Sequence, residues 1–171
     1  MTLRASTTTG RQVTDTCEII FDSPSLRNCH VALPFLTTFT GLAAYTLPKV
    51  DVQASAVIRS SPGSQISANL VYSSAQVAQT LGRPLAGGTA NVTVNLLDPG
   101  QMYRDRINLV DFRLARVFRF GQRRLNVGLD VFNALNSDVV LNSNNTFGTA
   151  WLTPTSVQVA RQMQLSAKFD F

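Results

Sequence analysis

Three side chains capable of metal or redox chemistry stand near the start of the chain: Cys17, Cys29 and His30. The stretch between the cysteines carries Asp22, Ser23, Pro24, Ser25 and Asn28, a loop-like composition, and a local disulfide across it fits an oxidising compartment. A metal is the weakest reading, because this spacing matches no common zinc pattern and a fourth ligand is missing. Unpaired thiols stand between the two. Carboxylates make the other possible constellation. Asp111 and Asp130 fall in two consecutive strand-like runs and could meet as an acid–base pair, but the interleaved Arg113 makes an Arg113–Asp130 ion pair the expected arrangement. His30 is the one histidine, and no GxSxG, HExxH or phosphate-loop spacing occurs. Gly87-Gly88 reads as flexible loop. No catalytic residue, metal site or cofactor is therefore assigned, and enzymatic function is not expected.

Charge points to no compact partner site either. The net charge is +5, yet Arg104, Asp105 and Arg106 are consecutive and Asp111 precedes Arg113. A nucleic-acid footprint would gather its cations on one face, so dispersed charge excludes nucleic acid as the expected partner. Charged residues make up only 15% of the 171, against a usual quarter, so the chain is polar without being highly charged. No apolar run approaches the roughly 18 residues of a membrane-spanning helix. Spanning strands need only about 10 alternating residues each and escape that test. The opening MTLRASTTTGRQ lacks the apolar core of a signal peptide, so an exported protein would need residues beyond these.

The elements that position these side chains are strands. Residues 1–33 show no sustained period and read as an irregular loop. From there, alternation is the rule. Phe35, Phe39, Ala43, Tyr45 and Leu47 share one parity; Val50, Val52, Ala54, Ala56 and Ile58 share another after a turn at Pro48 and Lys49. Residues 60–106 hold Pro62, Gly63, Pro84, Gly87, Gly88, Pro99 and Gly100, too many breakers for one element, although Asn91–Leu97 has strand character. Val110, Phe112, Leu114, Phe118 and Phe120 alternate with Asp111, Arg113, Ala115, Val117 and Arg119, and Arg116 interrupts the apolar set. Leu125, Val127, Leu129 and Val131 follow a turn at 121–124, which makes a hairpin. If Phe120 pairs with Leu125, then Ala115 faces Asp130 and Arg113 lies on its diagonal. A second loop spans 136–154. The last run, about Ser156 to Phe171, puts Val157, Val159, Met163, Leu165, Ala167, Phe169 and Phe171 on one side, a strand of about 16 residues against a usual 5–6.

That pattern predicts an all-β protein: an antiparallel transmembrane β-barrel segment of about five long strands with long extracellular loops, open as an isolated chain. Residues 1–33 are an extracellular loop segment. Residues 34–171 are the C-terminal strands, with a long extracellular loop at 60–106. Two other classes compete: a passive porin or small barrel, and a soluble β-sheet binding module with one wet face.

The closing residues Met163, Leu165, Ala167, Phe169 and Phe171 resemble the assembly signal by which the barrel-insertion machinery recognises outer-membrane proteins. VDFRLARVFRFGQRRLNVGLDVFNALNS resembles the last hairpin of TonB-dependent receptors, with Asn133 and Asn136 matching the family motif and Ala134 standing where Leu is usual. PFLTTFTGLAAYTLPKVDVQASAVIRSSPG, LGRPLAGGTANVTVNLLDPG and NNTFGTAWLTPTSVQVARQMQLSAKFDF are similar to Oar-like transporters of the carboxypeptidase-regulatory-like-domain type. The likeness runs over nearly the whole chain. It implies a 22-stranded barrel of the Gram-negative outer membrane, plugged by an N-terminal domain and importing a scarce substrate with energy relayed by TonB. It also implies partners: outer-membrane lipid, the insertion machinery, and the missing plug and barrel strands, with TonB reached only through that missing part. This chain alone is not expected to transport. A truncated gene or split reading frame is the expected origin, and the resemblance names no substrate.

Counting back from a periplasmic terminus puts the turns at 47–49 and 121–124 in the periplasm and the long loops outside. Apolar parity then faces lipid, where unpaired polar groups are costly. Asp51, Arg59, Asp111, Arg113, Asp130, Lys168 and Asp170 line the lumen, so Arg113–Asp130 becomes a lumenal pair. Arg116 and Arg161 fall on the lipid parity and are expected to snorkel to an interface.

Overall fold

The computed structural model describes residues 1–15 and 30–171. Its strands are β1 (Thr2–Gly10), β2 (Val13–Asp15), β3 (His30–Ala32), β4 (Leu36–Leu47), β5 (Val52–Ser61), β6 (Asn69–Ser73), β7 (Asn91–Asn95), β8 (Ile107–Phe120), β9 (Arg123–Phe132), β10 (Val140–Ser143), β11 (Pro154–Val157) and β12 (Gln162–Asp170). Among the described residues one α-helix, α1 (Ser74–Leu81), breaks the pattern; Ser73 and Gln76 close its capping box and Gly82 its C-terminus. The chain is therefore all-β. β1, β4, β5, β8, β9 and β12 form one antiparallel sheet in that order, and the described residues form no closed barrel. The outer edges of β1 and β12 are unpaired within it.

Three expectations are corrected. The first ten residues are not loop: β1 pairs with β4 from Thr2 opposite Ala44 to Gly10 opposite Leu36, which raises the strand count in the sheet to six. Its threonines favour extended backbone without supplying the apolar alternation by which the other strands were legible. The last run is not a single strand, because residues 158–161 interrupt it between β11 and β12. The span 60–106 holds more than the strand expected at Asn91–Leu97, which is β7: β6 pairs with it around α1.

Connections differ at the two ends of the sheet. At one end, Pro48–Asp51 and Gly121–Gln122 are tight, and Gly121 takes φ 64° at the first of two loop positions, where glycine is the usual residue. At the other end lie the long segments 62–106 and 133–161, which pack on each other. Trp151 Nε1 donates to Ser67 O at 3.0 Å, Asn69 N to Asn145 O at 2.7 Å, and Phe147 N to Asn69 O at 2.9 Å. Ile66 and Ala68 are buried in this assembly. In the sheet itself Ala115 is the one buried apolar side chain among the described residues, so no protein layer covers either face.

Candidate membrane surface and polar face

The strand pairings decide which parities share a face. Directly opposed residues of an antiparallel pair point the same way. Val52 opposite Arg116, Leu114 opposite Leu129 and Leu165 opposite Leu129 put the apolar parities of β5, β8, β9 and β12 together. Ala43 opposite Ala56 adds β4, and Leu3 opposite Ala43 adds β1. One face is thus built from Phe39, Ile58, Phe112, Leu129, Leu165 and their neighbours. It is uncovered: Leu165 is 79% and Met163 69% exposed. Apolar side chains this open have no partner in the described residues, and an apolar surface of this extent marks a binding or membrane face.

The opposite face carries the ion pairs, while Arg116 and Arg123 remain on the apolar parity. Arg113 Nη1 donates to Asp130 Oδ1 at 3.0 Å and Oδ2 at 3.1 Å. The hairpin register is two residues tighter than the sequence pattern suggested, Phe120 pairing with Arg123, so Arg113 stands directly opposite Asp130 instead of on its diagonal. Both registers keep the two residues on one face. Gly128, next along β9 on that face, leaves the space that the guanidinium fills: a Cβ there would lie 3.2 Å from Arg113 Nη2 and 2.8 Å from Ser166 Oγ. Nearer the tight turns, Arg119 Nη2 donates to Asp51 Oδ1 at 3.1 Å and Lys168 pairs with Asp170 at 3.1 Å. At the long-loop end, on the apolar parity where Ser60 stands opposite Asn108, Arg106, which the sequence pattern did not single out, ties β4, β5 and the start of β8 through Thr37 O at 2.5 Å and Ser60 Oγ at 2.7 Å.

Asn133 and Asn136 act together at the end of β9. Both adopt left-handed backbone, φ 49° and 53°, which asparagine tolerates better than most residues. The Asn133 amide donates to Asp111 Oδ1 at 2.9 Å; its side-chain Nδ2 donates to Ser137 O at 2.9 Å and Val159 O at 2.8 Å, while Oδ1 accepts from Ser137 N at 2.8 Å. Asn136 Oδ1 accepts from Arg161 N at 3.0 Å. Two asparagines therefore hold residues 159 and 161, the break that precedes β12. Asp111 is a backbone acceptor here and Asp130 an ion-pair partner, so the two carboxylates do not converge.

The remaining candidates fall apart spatially. Met163, Leu165, Ala167 and Phe169 line the apolar face of β12, and Phe171 follows with its ring 6.2 Å from that of Phe169. Cys17 and Cys29 lie outside the described residues; the β2–β3 pair, where His30 Nδ1 hydrogen-bonds Asp15 Oδ1, brings their flanks together. Among the described residues no group of three His, Cys, Asp or Glu converges on a point, and no helix is long and apolar enough to cross a membrane. Comparison with known protein families, with curated proteins and with solved structures finds no match.

Proposed function

We propose that the six-stranded sheet is the C-terminal wall of an outer-membrane β-barrel of the TonB-dependent receptor type, with further strands completing the barrel and a plug filling it. The observation that carries this is the register: β4, β5, β8, β9 and β12 turn their apolar parities to one uncovered face and, apart from Arg116 and Arg123 near the tight turns, their charges to the other. A soluble sheet would cover one such face with a second layer. Lipid is the remaining apolar solvent for it. Tight turns at one end and long packed connections at the other match the periplasmic and extracellular ends of such barrels. Six strands fall short of the roughly eight that the smallest barrels need, so the edges of β1 and β12 are the seams at which closure continues. In this reading Arg113–Asp130 faces the lumen, and β12 with Phe171 is what the insertion machinery engages. Import of a scarce substrate, energised through TonB, belongs to the whole assembly.

The test is depth-sensitive spin labelling of the chain reconstituted in lipid. Nitroxides at Leu129 and Leu165 should collide with membrane-dissolved oxygen, whereas nitroxides at Gln164 and Ser55, on the polar face, should collide with an aqueous nickel chelate. Equal water access on both faces would remove the membrane reading.

A further inference from the structure

We propose that the tight-turn end of the apolar face carries binding sites for anionic phospholipid headgroups, made by Arg116 and Arg123 within a belt of phenylalanines; the inference rests on the membrane reading above. Phe118, Leu125 and Phe169 form one row across β8, β9 and β12, and Phe120 pairs with Arg123 in the next. Phe120 is exposed, and Phe169 stacks towards Phe171. Arg116 holds its guanidinium 4.9 Å above the Phe118 ring. The belt is aromatic, lipid-facing and cationic at once.

Among the described residues neither arginine pairs with a side-chain carboxylate. The side-chain acids at this end, among the described residues, are Asp51 and Asp170; both lie on the polar face, where Arg119 and Lys168 occupy them. Among the described residues, no ion pair involves Arg116 or Arg123, so two cations on an apolar face stand without counter-charge. Their height explains how this is tolerated. On the apolar parity of β8, Val110, Phe112 and Leu114 separate Asn108 from Arg116, eight residue steps or roughly 26 Å of strand, which at a barrel tilt of about 40° is about 20 Å of height. An outer-membrane barrel has an apolar band about 25 Å tall, so with Asn108 at one boundary Arg116 lies about 5 Å inside the other, a distance that its long side chain covers by snorkelling towards the turn. Arg123, in the last pair before the turn, lies further out. Both guanidiniums thus reach the headgroup layer. A guanidinium presents a planar fork of donors matched to two phosphate oxygens, and the adjacent rings pack the glycerol and upper acyl carbons. Arg116 and Arg123 are well separated along the hairpin, so each takes one phosphodiester.

The experiment is flotation of the purified chain, diluted from detergent, with phosphatidylcholine vesicles and with vesicles in which about a third of the lipid is phosphatidylglycerol. Wild type should bind both and prefer the anionic vesicles, by about fivefold per arginine at low salt. Arg116→Gln with Arg123→Gln should bind both vesicles alike. Arg119→Gln with Arg124→Gln removes the same charge from the polar face and should keep the preference, and millimolar inorganic phosphate should not abolish it. Binding to both vesicles without preference, equal loss in the two double variants, or displacement by free phosphate would overturn the headgroup sites and leave the membrane reading standing. Failure to bind either vesicle would overturn both.

Discussion

Arg113 and Asp130 face each other directly across the β8–β9 hairpin, one guanidinium nitrogen donating to both carboxylate oxygens. Their exposures are unequal, 48% for the Arg113 side chain and 12% for that of Asp130. Losing Arg113 strands a carboxylate with little water, whereas losing Asp130 frees a guanidinium that solvent can reach. Arg113→Gln should therefore destabilise the refolded chain more than Asp130→Asn does, by about 1 kcal/mol, with a coupling of similar size in the double-mutant cycle. Denaturant midpoints in micelles measure this; equal losses would show that the asymmetry of burial is unimportant.

Gly128 makes room for that pair. Gly128→Ala would press on Ser166 Oγ and Arg113 Nη2 and should cost about 1–2 kcal/mol, typical of mild overpacking. Adding Ser166→Ala removes the closer contact and should recover part of the loss. No recovery would locate the strain elsewhere.

Asn133 is 4% exposed and combines a left-handed backbone with three side-chain hydrogen bonds. Asn133→Gly keeps the backbone freedom and loses the bonds, at about 2 kcal/mol; Asn133→Ala adds backbone strain of about 1 kcal/mol more. Amide exchange should quicken at residues 159–165 in both variants. Unchanged exchange there would mean that the asparagine corner does not hold the approach to β12.

The free edges of β1 and β12 should recruit other strands. The purified chain is expected to aggregate in water and to give no unitary conductance in planar bilayers, since about eight strands are the least that close. A discrete, reproducible pore would show that the sheet completes a barrel by itself.

The final strand can be tested by transplantation. Residues 156–171 grafted onto a barrel without its own last strand should restore outer-membrane insertion. The same graft with Phe171→Ala, or with one residue inserted before Phe169 to reverse the parity, should remain periplasmic and be degraded. The loss should exceed anything packing explains, because a half-exposed ring contributes less than the roughly 3–5 kcal/mol of a buried one. Equal insertion of all three grafts would show that β12 carries no assembly signal.

Alternation by itself determined much of the sheet. In a strand, side-chain direction depends only on the parity of the position, so Val110, Phe112 and Leu114 were separable from Asp111 and Arg113 without coordinates. The placement of Arg113 and Asp130 on a common face was legible for the same reason. β1 was not, since Thr7, Thr8 and Thr9 suit an extended backbone yet show no difference between its sides. Nor was the interruption at 158–161, where the alternation resumes at Met163 after the single departure of Arg161 while Asn133 and Asn136, more than twenty residues away, take up the backbone. Register was the other decision left to tertiary structure. A slip of two residues preserves every parity, so no pattern of apolar and polar residues separates Phe120 opposite Leu125 from Phe120 opposite Arg123. The two-residue turn at Gly121 settles it, and with it whether Arg113 meets Asp130 head-on over the gap at Gly128.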